Sequence, residues 1–358
     1  MGSGVTESNP NVTTTPEHAE HSPLPRLIHD LMGWNALITL SLGRNTGMLS
    51  VVLNEPVTAA QLASKARVDE RNAMAWLEAM AAHGYLIYRE GIFAMREEDL
   101  DAFKTFPFDF EAIIDYAHNA AATMPSVETA IRHGGGVDPS IYREYIGDAV
   151  HRIPRRLYEY MLVGWLDQAG LSDVLRAGGS LAELGCGSGA ALLHLAKTFT
   201  MAKFTGLDLD RGAVDKGNAE AARLALKNIR FAVRDVHAVD ERQAFDVVLV
   251  LDALHHFPHP LQVLEAVAQS LKPGGKIAIA EMTATGNLET DLASPFARIL
   301  KTSALVYCMQ EGLHDHGVGL GTTFGTAGYC KLLVDAGYLR VAHFDNEAGY
   351  TLFVGTRK

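Results

Sequence analysis

The stretch that decides the fold is Leu181-Ala-Glu-Leu-Gly-Cys-Gly-Ser-Gly189. Four residues with strand character lead into Gly185, Gly187 and Gly189, and helical spacing begins at Ala190. A strand, a glycine turn and a helix start leave unpaired backbone N–H groups beside a surface without side chains, so a nucleotide can approach closely. The same letters also satisfy the Gly-x-Gly-x-x-Ala form of a dinucleotide-binding turn, so the turn alone does not select the ligand.

The composition is that of an acidic globular protein. The chain has 358 residues, enough for two domains, and a formal net charge of −11. That charge argues against broad binding to nucleic acid or to an anionic membrane. Three cysteines have neither zinc-site spacing nor the density of a disulfide framework, which favours a reducing, cytoplasmic location. Residues 1–22 are predicted to be a disordered tail without a secretory signal, and the apolar run 31–53 is too interrupted to span a bilayer.

Residues 23–105 are predicted to form a mainly helical N-terminal domain. Apolar residues recur at helical spacing from Leu24 to Leu42, Thr58 and Gln61 form a capping-box pattern, and a further helix runs from Glu70 to His83. A small hairpin follows, which completes the order of a winged helix. The last of these helices carries one arginine and is mostly apolar, whereas a groove-reading helix presents several basic or amide side chains. We therefore expect dimerisation or scaffolding, and no nucleic-acid binding.

Residues 106–177 are predicted to form a helical linker that also serves as a lid. The segment contains His133-Gly-Gly-Gly136, followed by Tyr142, Arg143 and further aromatic and basic residues. Glycines beside such side chains suit a lid that closes over a ligand. We predict that Tyr142 and Arg143 contact a substrate. The competing interpretation is a solvated connector whose arginines pair with the many acids.

Residues 178–358 alternate between strand and helix patterns. This alternation predicts a Rossmann-like, doubly wound α/β sheet. Two adjacent strands at the C-terminus predict an antiparallel ending, which a dinucleotide-binding domain does not need. The predicted strands are Leu181–Leu184, Phe204–Leu209, Ile229–Val233, Phe245–Leu251, Lys276–Glu281, Tyr338–Phe344 and Tyr350–Val354.

Acidic residues stand at the ends of the first three predicted strands of this sheet. Glu183 lies two positions before the first glycine, where it can meet a cationic ammonium group, which S-adenosylmethionine has and NAD lacks. Asp208 ends the second strand, where a carboxylate accepts both ribose hydroxyls. Asp235 and Val236 follow the third strand, in position for a side-chain contact to an adenine amino group and a backbone contact to its ring.

These motifs resemble those of class I S-adenosylmethionine-dependent methyltransferases. Glu183–Gly189 is similar to their motif I, Gly206–Leu209 to their ribose-binding strand, Arg234–Val236 to their adenine motif and Phe245–Asp252 to their fourth strand. The resemblance covers roughly residues 178–358 and implies S-adenosyl-L-methionine as cofactor, with S-adenosyl-L-homocysteine as product, on a seven-stranded sheet. The cofactor-binding residues that it implies are Glu183, Gly185, Cys186, Gly187, Asp208, Leu209, Asp235, Val236 and Asp252.

A narrower resemblance runs almost the whole length of the chain. Leu40–Gly43, Asp69–Arg71, Trp76-Leu77, His133–Gly136 and Gly319–Gly321 are similar to segments of bacterial-type methyltransferases with an N-terminal winged helix. Caffeate-type O-methyltransferases share this plan, and in them the N-terminal domain dimerises and helps to wall the acceptor pocket. The resemblance therefore implies a homodimer formed through the N-terminal domain.

A histidine-rich stretch, Ala253-Leu-His-His-Phe-Pro-His259, follows the fourth predicted strand. Methyl transfer is an in-line displacement, and a hydroxyl or thiol acceptor must also lose a proton, a task that suits histidine. His255 matches the histidine base in the caffeate-type Leu-His-Asp-Trp motif, while His256 replaces its aspartate. We predict that His255 and His256 are catalytic. The alternative is a histidine that caps the strand end or packs on Phe257.

His314-Asp-His316 lies in the glycine-rich loop 312–328, which is predicted to reach the acceptor pocket. We predict that His314 and His316 contact the substrate. Histidines at this spacing can also bind a metal together with those at 255, 256 and 259, but our prediction is that no metal is bound. A polar loop near a dimer interface is the remaining interpretation.

The leading functional hypothesis is an enzyme that methylates oxygen or sulfur in a small molecule. Arginines at positions 143, 152, 155 and 156 would suit an acidic acceptor, such as a thioether acid of dimethylsulfoniopropionate-type synthesis, and a thioether would need no base. One alternative is a winged-helix transcription regulator whose second domain senses S-adenosylmethionine. Another is a nicotinamide oxidoreductase, which Glu183 and the terminal strand pair disfavour.

Overall fold

The computed structural model describes residues 23–239, 241–346 and 348–358. Its contacts divide the chain into two compact units, Met1–Lys104 and Thr105–Lys358. The predicted disordered tail, residues 1–22, lies outside the described residues. Among the described residues, none of the helices combines the length and the apolar character that crossing a bilayer requires.

The first unit is mainly helical. Its third helix begins with the predicted capping box, because the Thr58 hydroxyl accepts from Gln61 N at 3.3 Å and the Gln61 side chain accepts from Thr58 N at 2.8 Å. Trp76 is buried and donates its indole N–H to Thr39 O at 2.8 Å, which ties the fourth helix to the first. The elements are α1 (Pro23–Asn45), α2 (Met48–Val52), α3 (Ala59–Ala66), α4 (Glu70–Ala82), β1 (Ile87–Arg89), β2 (Ile92–Ala94) and α5 (Glu97–Thr105), the last of which ends in the second unit.

The second unit begins with six helices that precede its sheet. They are α6 (Phe110–Asn119), α7 (Met124–His133), α8 (Pro139–Tyr145), α9 (Gly147–Arg152), α10 (Arg155–Gln168) and α11 (Ser172–Arg176). Leu157, Leu162 and Leu166 of α10 are fully buried and belong to the same apolar core as the first strand of the sheet. The predicted linker is therefore packed against the sheet.

Seven strands form one sheet in the order β5-β4-β3-β6-β7-β9-β8. Strands β3 to β7 are parallel, and β9 runs antiparallel to β7 on one side and to β8 on the other. The predicted doubly wound sheet with an antiparallel ending is confirmed, and the last strand lies inside the sheet while β8 forms its edge. The strands are β3 (Ser180–Leu184), β4 (Lys203–Asp208), β5 (Ile229–Val233), β6 (Phe245–Leu251), β7 (Leu271–Met282), β8 (Leu339–Asp345) and β9 (Tyr350–Thr356).

Side chains of the central strands fill an apolar core on each face of the sheet. Leu181 and Leu249 point into one core, and Ala182 and Val248 point into the other, as the two-residue period of a strand requires. Helices cover both faces. The α-helices that follow β3 in the chain are α12 (Ala190–Thr198), α13 (Arg211–Arg223), α14 (Pro260–Ser270), α15 (Leu288–Leu292), α16 (Ala297–Ser303), α17 (Met309–Gly312) and α18 (Thr326–Asp335).

Short helical turns complete the second unit. Three of the 3-10 type, Val236–Ala238, Leu254–His256 and His314–His316, follow or face the carboxyl ends of strands, and a fourth is Ala120–Thr123. A π-helical segment, Ala304–Cys308, joins α16 to α17. Such segments are uncommon and frequently occur at functional sites.

Candidate active site

The glycine turn between β3 and α12 has the open backbone that its sequence predicts. Gly185, Gly187 and Gly189 all have positive φ, at 67°, 52° and 79°. A Cβ atom at Gly187 would lie 2.8 Å from the ring of His151 in α9, and one at Gly189 would enter the ring of Phe231. Side chains are therefore excluded here by conformation and by space, which leaves the backbone open to a ligand.

Asp208, at the carboxyl end of β4, is fixed by the turn itself. One carboxylate oxygen accepts from Gly187 N at 2.7 Å, and the other accepts from Asp210 N at 2.8 Å. A carboxylate oxygen has two acceptor positions, so each oxygen keeps one for a further donor. This arrangement suits a pair of vicinal hydroxyl groups, as the sequence predicts for a ribose. The neighbouring Leu209 is 53% exposed, so it offers apolar surface beside that carboxylate.

Glu183 is a buried acid near the carboxyl end of β3. It is 3% exposed, and its Oε2 atom has no hydrogen-bond partner among the described residues. Burial, reinforced by the charge of Asp208, raises the pKa of Glu183 well above its ordinary value. A buried carboxylate without a partner is costly, and a cationic ligand would offset that cost. Glu183 thus fits the ammonium group for which the sequence predicts it.

Asp252 follows β6 and, like Glu183, is an acid near the carboxyl end of a strand with one buried side-chain oxygen that has no hydrogen-bond partner among the described residues. Its backbone has a φ of 51°, in the left-handed region that non-glycine residues rarely adopt. Its Oδ2 atom accepts from the Tyr350 hydroxyl at 3.2 Å, while Oδ1 has no described partner. Both acids line a cleft together with Val150, His151, Pro154, Tyr158, Gly185, Cys186, Gly187, Ala190, Ala191 and Leu251.

The cleft contains residues that the sequence did not single out for it. His151 lies in α9, Pro154 immediately precedes α10, and Tyr158 lies in the first turn of α10, all within the predicted linker. Only their place in a segment with many aromatic and basic residues indicated a ligand-facing role. Among the predicted cofactor residues, the cleft brings together Glu183, Gly185, Cys186, Gly187 and Asp252.

Asp235 begins the 3-10 turn after β5. Its Oδ1 atom accepts from His237 N at 2.9 Å and lies 3.0 Å from His237 Nδ1. Burial opposes ionisation, but the bonds from His237 outweigh it and lower the pKa of Asp235. The next residue, Val236, is buried in the core under that face of the sheet. Asp235 is therefore a fixed carboxylate with one oxygen left to accept from a ligand.

His255 is buried beside a carboxylate that the sequence prediction missed. Its side chain and that of Glu281 are each 2% exposed, and His255 Nδ1 contacts Glu281 Oε2. The backbone N of His255 also donates to Glu281 Oε1 at 3.3 Å. Burial opposes protonation, yet the charges of Glu281 and Cys308 raise the pKa of His255 well above its ordinary value. A strand-end glutamate after the apolar run of β7 was the available signal.

His256 has a similar partner on a different element. Its Nδ1 atom lies 2.7 Å from Glu311 Oε2, an ion-pair distance without hydrogen-bond alignment, and its ring lies 4.6 Å from that of Tyr307. Burial and His255 oppose protonation, but Cys308 and Glu311 outweigh them and raise the pKa of His256 to about 9. The two imidazoles are also close to each other, with ring centroids 4.2 Å apart.

Cys308 completes this polar cluster. The thiol is at the end of the π-helical segment and is 4% exposed. It interacts with both imidazoles, which outweigh the effect of burial and lower its pKa. We name the group formed by His255, His256 and Cys308 the His-His-Cys cluster. Because Cys308 is 53 and 52 positions from the two histidines in sequence, spacing alone could not indicate it.

Of the four predicted substrate residues, Tyr142 contacts the π-helical segment that carries Cys308, and His314 and His316 lie in a loop bonded to the backbone near His255. Tyr142 is 1% exposed, donates its hydroxyl to Val306 O at 2.9 Å and packs on Tyr307, so it supports the π-helical segment from behind. Arg143 follows it in α8 and is half-buried. The loop that carries His314 and His316 packs on the backbone after His255, through bonds of Gly321 N to His255 O at 3.3 Å and of Val318 N to Pro258 O at 2.9 Å.

The arginines of the linker have protein partners. Arg152 pairs with Asp109, Asp115 and Asp148, and Arg155 pairs with Glu159. This finding favours the solvated connector for these two side chains. The charge of Arg152 is already matched by three carboxylates, so an acidic acceptor gains little from it.

The region that carries this site is similar to a known protein family. The family model described as "Methyltransferase domain" matches residues 175–319, which hold the glycine turn, the strand-end acids and the His-His-Cys cluster. Residues 175–319 therefore match a methyltransferase domain, and the resemblance predicted from the sequence motifs is confirmed over that range.

Two curated relatives are similar to this same region. A ubiquinone biosynthesis O-methyltransferase from Vibrio vulnificus is 29% identical over 141 residues, which are 39% of this chain and 56% of that protein. The 27-O-demethylrifamycin SV methyltransferase of Amycolatopsis mediterranei is 32% identical over 109 residues, which are 30% of this chain and 40% of that protein. The chain thus spans about half the length of the curated relatives that it matches.

Solved structures match over a longer part of the chain. An O-methyltransferase family protein from Burkholderia thailandensis has a TM-score of 0.70 at 18% identity and covers 95% of this chain and 99% of its own. Human N-acetylserotonin methyltransferase, solved in complex with SAM, has a TM-score of 0.66 at 18% identity with the same two coverages, 95% and 99%. At these identities the matches establish the fold.

Proposed function

We propose that this chain is an S-adenosylmethionine-dependent methyltransferase that acts on oxygen or sulfur of a small-molecule acceptor. The observation that carries the proposal is the unpartnered, buried Glu183 carboxylate in a cleft walled by the glycine turn. That acid needs a cationic partner, and a nicotinamide dinucleotide has no ammonium group to supply one. The cofactor found in the matched human structure, SAM, does have one.

Several residues of the chain fit the parts of this cofactor. Glu183 would hold the ammonium group, Asp208 the ribose hydroxyls, and Asp235 the adenine amino group, with Leu209 and Val236 beside the base. When bound, S-adenosylmethionine supplies an electrophilic methyl group on a sulfonium. Asp252 contributes a second unpaired acidic oxygen to the same cleft, which favours a cationic ligand there. S-adenosyl-L-homocysteine is the product that remains.

The acceptor lies, in this proposal, at the His-His-Cys cluster. His255 follows the same strand, β6, as Asp252, and their polar atoms, together with those of Glu281, lie within 4.8 Å of one another. The neutral form of the His255 ring would accept the acceptor proton at Nε2, because Glu281 holds the ring through Nδ1 and stabilises the charged form that results. His256 stands next to it, and His314 and His316 belong to the loop that closes over this edge. Catalytic roles for His255 and His256 follow from this arrangement.

A homodimer through the first unit is part of the proposal, with residues 23–105 acting as a winged-helix dimerisation domain. Helix α1 exposes a stripe of large apolar side chains at three- and four-residue spacing, which is the pattern of helix pairing. The stripe consists of Leu27, Leu31, Trp34, Ile38 and Leu42, each at least 39% exposed. Sedimentation of the wild type and of Leu31→Glu tests this assignment: a dimer that the substitution converts to monomer supports it, and a monomeric wild type rejects it.

The enzymatic proposal is tested with labelled cofactor. Purified protein is incubated with methyl-labelled S-adenosylmethionine and a small-molecule extract, and product masses are recorded. We expect a labelled small molecule, and we expect His255→Ala to lower the rate by about two to four orders of magnitude while cofactor affinity stays within a few-fold. A nearly unchanged rate would point to a thioether acceptor, which needs no base. Tight, salt-sensitive binding of random duplex DNA without any methyl transfer would favour the transcription-regulator alternative.

A further inference from the structure

We propose that the His-His-Cys cluster is a zinc site with one open coordination position. One ligand atom each of His255, His256 and Cys308 can be chosen so that all lie within 4.8 Å of one another. Tetrahedral zinc, with Zn–N of about 2.0–2.1 Å and Zn–S of about 2.3 Å, needs its ligand atoms at about 3.3–3.6 Å from each other. The three atoms would have to approach one another by at most about 1.5 Å to reach that spacing. Two imidazoles and one thiolate form a set that a borderline-soft divalent ion prefers.

The carboxylates around the cluster are those of a metal site. A zinc-bound histidine usually gives its other ring nitrogen to a carboxylate or a carbonyl, which orients the ring and raises its basicity. Here both histidines have a carboxylate beside Nδ1: His255 Nδ1 contacts Glu281 Oε2, and His256 Nδ1 lies 2.7 Å from Glu311 Oε2, at an ion-pair distance without hydrogen-bond alignment. The nitrogen that remains on each ring is Nε2, so the same atom of both residues is left for the metal.

The charge of the cluster also calls for a cation. In the zinc-bound form, which requires neutral imidazoles and an ionised thiol, the carboxylates of Glu281 and Glu311 and the thiolate of Cys308 would together place three negative charges around the metal. Each of these side chains is at least four-fifths buried. Buried charges of one sign are costly, and a divalent cation held by the thiolate and the two rings would offset most of that excess.

The backbone presents Cys308 through an uncommon feature. The π-helical segment Ala304–Cys308 shifts the register of the helix at the point where the thiol meets the histidines. Tyr142 supports that segment by its bond to Val306 O, and Tyr307 stacks on His256. The candidate ligands are therefore held by two packed elements, the histidines by the turn Leu254–His256 and Cys308 by the π-helical segment.

This inference deepens the proposed function and rests on it for the role of the metal. Three protein ligands leave a fourth position on zinc for the acceptor heteroatom, where a bound hydroxyl or thiol loses its proton far more readily than in solution. Deprotonation would then occur on the metal, with His255 and His256 as its ligands and with the released proton passing to Asp252, which offers a carboxylate oxygen within 4.8 Å of a ring nitrogen of His255. In the metal-free protein, His255 takes the proton directly.

The test measures metal content, without any assay of turnover. The full chain is purified from zinc-supplemented medium without chelators, and zinc is counted by mass spectrometry for the wild type, Cys308→Ser, His256→Gln and Cys330→Ser. Cys330 is the matched control because it forms the other cysteine–histidine contact, 3.9 Å from His343 Nδ1, away from the cluster. We expect one zinc per chain in the wild type and in Cys330→Ser, and its loss in the two cluster variants.

Two further measurements distinguish the loss of a zinc ligand from misfolding of a variant. Cobalt substitution should give a thiolate-to-cobalt charge-transfer band in the wild type that is absent in Cys308→Ser, and Glu311→Gln should weaken zinc affinity by about 10- to 100-fold. Calorimetry with S-adenosylhomocysteine shows whether each variant is folded and tests the cofactor proposal separately. A wild type without zinc that still binds this ligand overturns the metal site alone. Equal zinc in the wild type and Cys308→Ser overturns it as well.

Discussion

Replacing Glu183 by glutamine separates a ligand-binding acid from a structural one. The substitution keeps the shape of the side chain and removes its charge. Loss of one partner from a buried, hydrogen-bonded charge pair costs about 2–5 kcal/mol, which corresponds to an affinity reduction of about 30- to 5,000-fold. We expect S-adenosylhomocysteine and S-adenosylmethionine to bind Glu183→Gln more weakly by a factor in that range, measured by isothermal titration calorimetry.

The same substitution should leave the ligand-free protein at least as stable as the wild type. Glu183 Oε2 has no hydrogen-bond partner within the described part of the chain, and burial together with Asp208 already disfavours its charge, so a neutral amide removes an unfavourable contribution. The melting temperature of the ligand-free variant should therefore stay level or rise. This combination, weaker ligand binding without loss of stability, is the signature of an acid that serves the ligand.

Asp246 provides a matched control at the opposite end of the same sheet. Its Oδ2 atom accepts from Ser180 N at 2.7 Å, from Ser180 Oγ at 2.8 Å and from Lys272 Nζ at 2.7 Å. Asp246→Asn should cost about 1–3 kcal/mol, and melting should fall by about 2–4 °C per kcal/mol, with cofactor affinity unchanged. If Glu183→Gln instead melts several degrees lower and binds both ligands normally, Glu183 is a structural residue and our reasoning is refuted.

Three other predictions follow from the same contacts. Because burial and Asp208 raise the pKa of Glu183, the carboxyl group of the ligand-free protein holds its proton to higher pH, and a cationic ligand must displace that proton. The affinity for S-adenosylmethionine should therefore rise with pH, and calorimetry in buffers of different ionisation enthalpy should show proton release that Glu183→Gln lacks. Equal proton release by both proteins would contradict this prediction. Gly187→Ala places a side chain at a φ of 52° and against the His151 ring, so it should lose about 1–2 kcal/mol in urea unfolding and bind cofactor more weakly; unchanged binding would mean that the turn is not part of the site. Gly43→Ala drives a methyl group into the Trp76 ring, and urea unfolding should show a loss of about 1–3 kcal/mol; an unaffected stability would show that α1 and α4 are not packed as described.

The predictable part of this molecule is the part encoded by neighbouring residues. The glycine turn, the capping box at Thr58 and the strand-end carboxylate of Asp208 each depend on contacts within one or two elements, and the sequence predicts all three. The sheet follows from the alternation of strand and helix patterns. The position of β9 inside the sheet was learned only from the structure, because no local segment encodes strand order. Element boundaries moved by a few residues, as with the helix predicted over residues 24–42, which extends over Pro23–Asn45.

The polar groups of the acceptor end could not be predicted in this way. His255 contacts Glu281, which is 26 positions away in sequence. Cys308 is placed beside the same imidazole by the π-helical segment, an irregular turn of the helix. Each contact requires the packed sheet and the tyrosines behind the π-helical segment. A lone cysteine in an apolar run gives no sign of two imidazoles beside it. The role of Arg152 was equally hidden, because its three carboxylate partners include Asp109 and Asp115 on or beside another helix.

The identity of the cofactor is tested by one calorimetric experiment. Purified full-length protein is titrated by calorimetry with S-adenosyl-L-homocysteine and, separately, with NADH. The account predicts saturable binding of S-adenosyl-L-homocysteine with one site per chain and no heat of binding for NADH. Binding of NADH alone would contradict it.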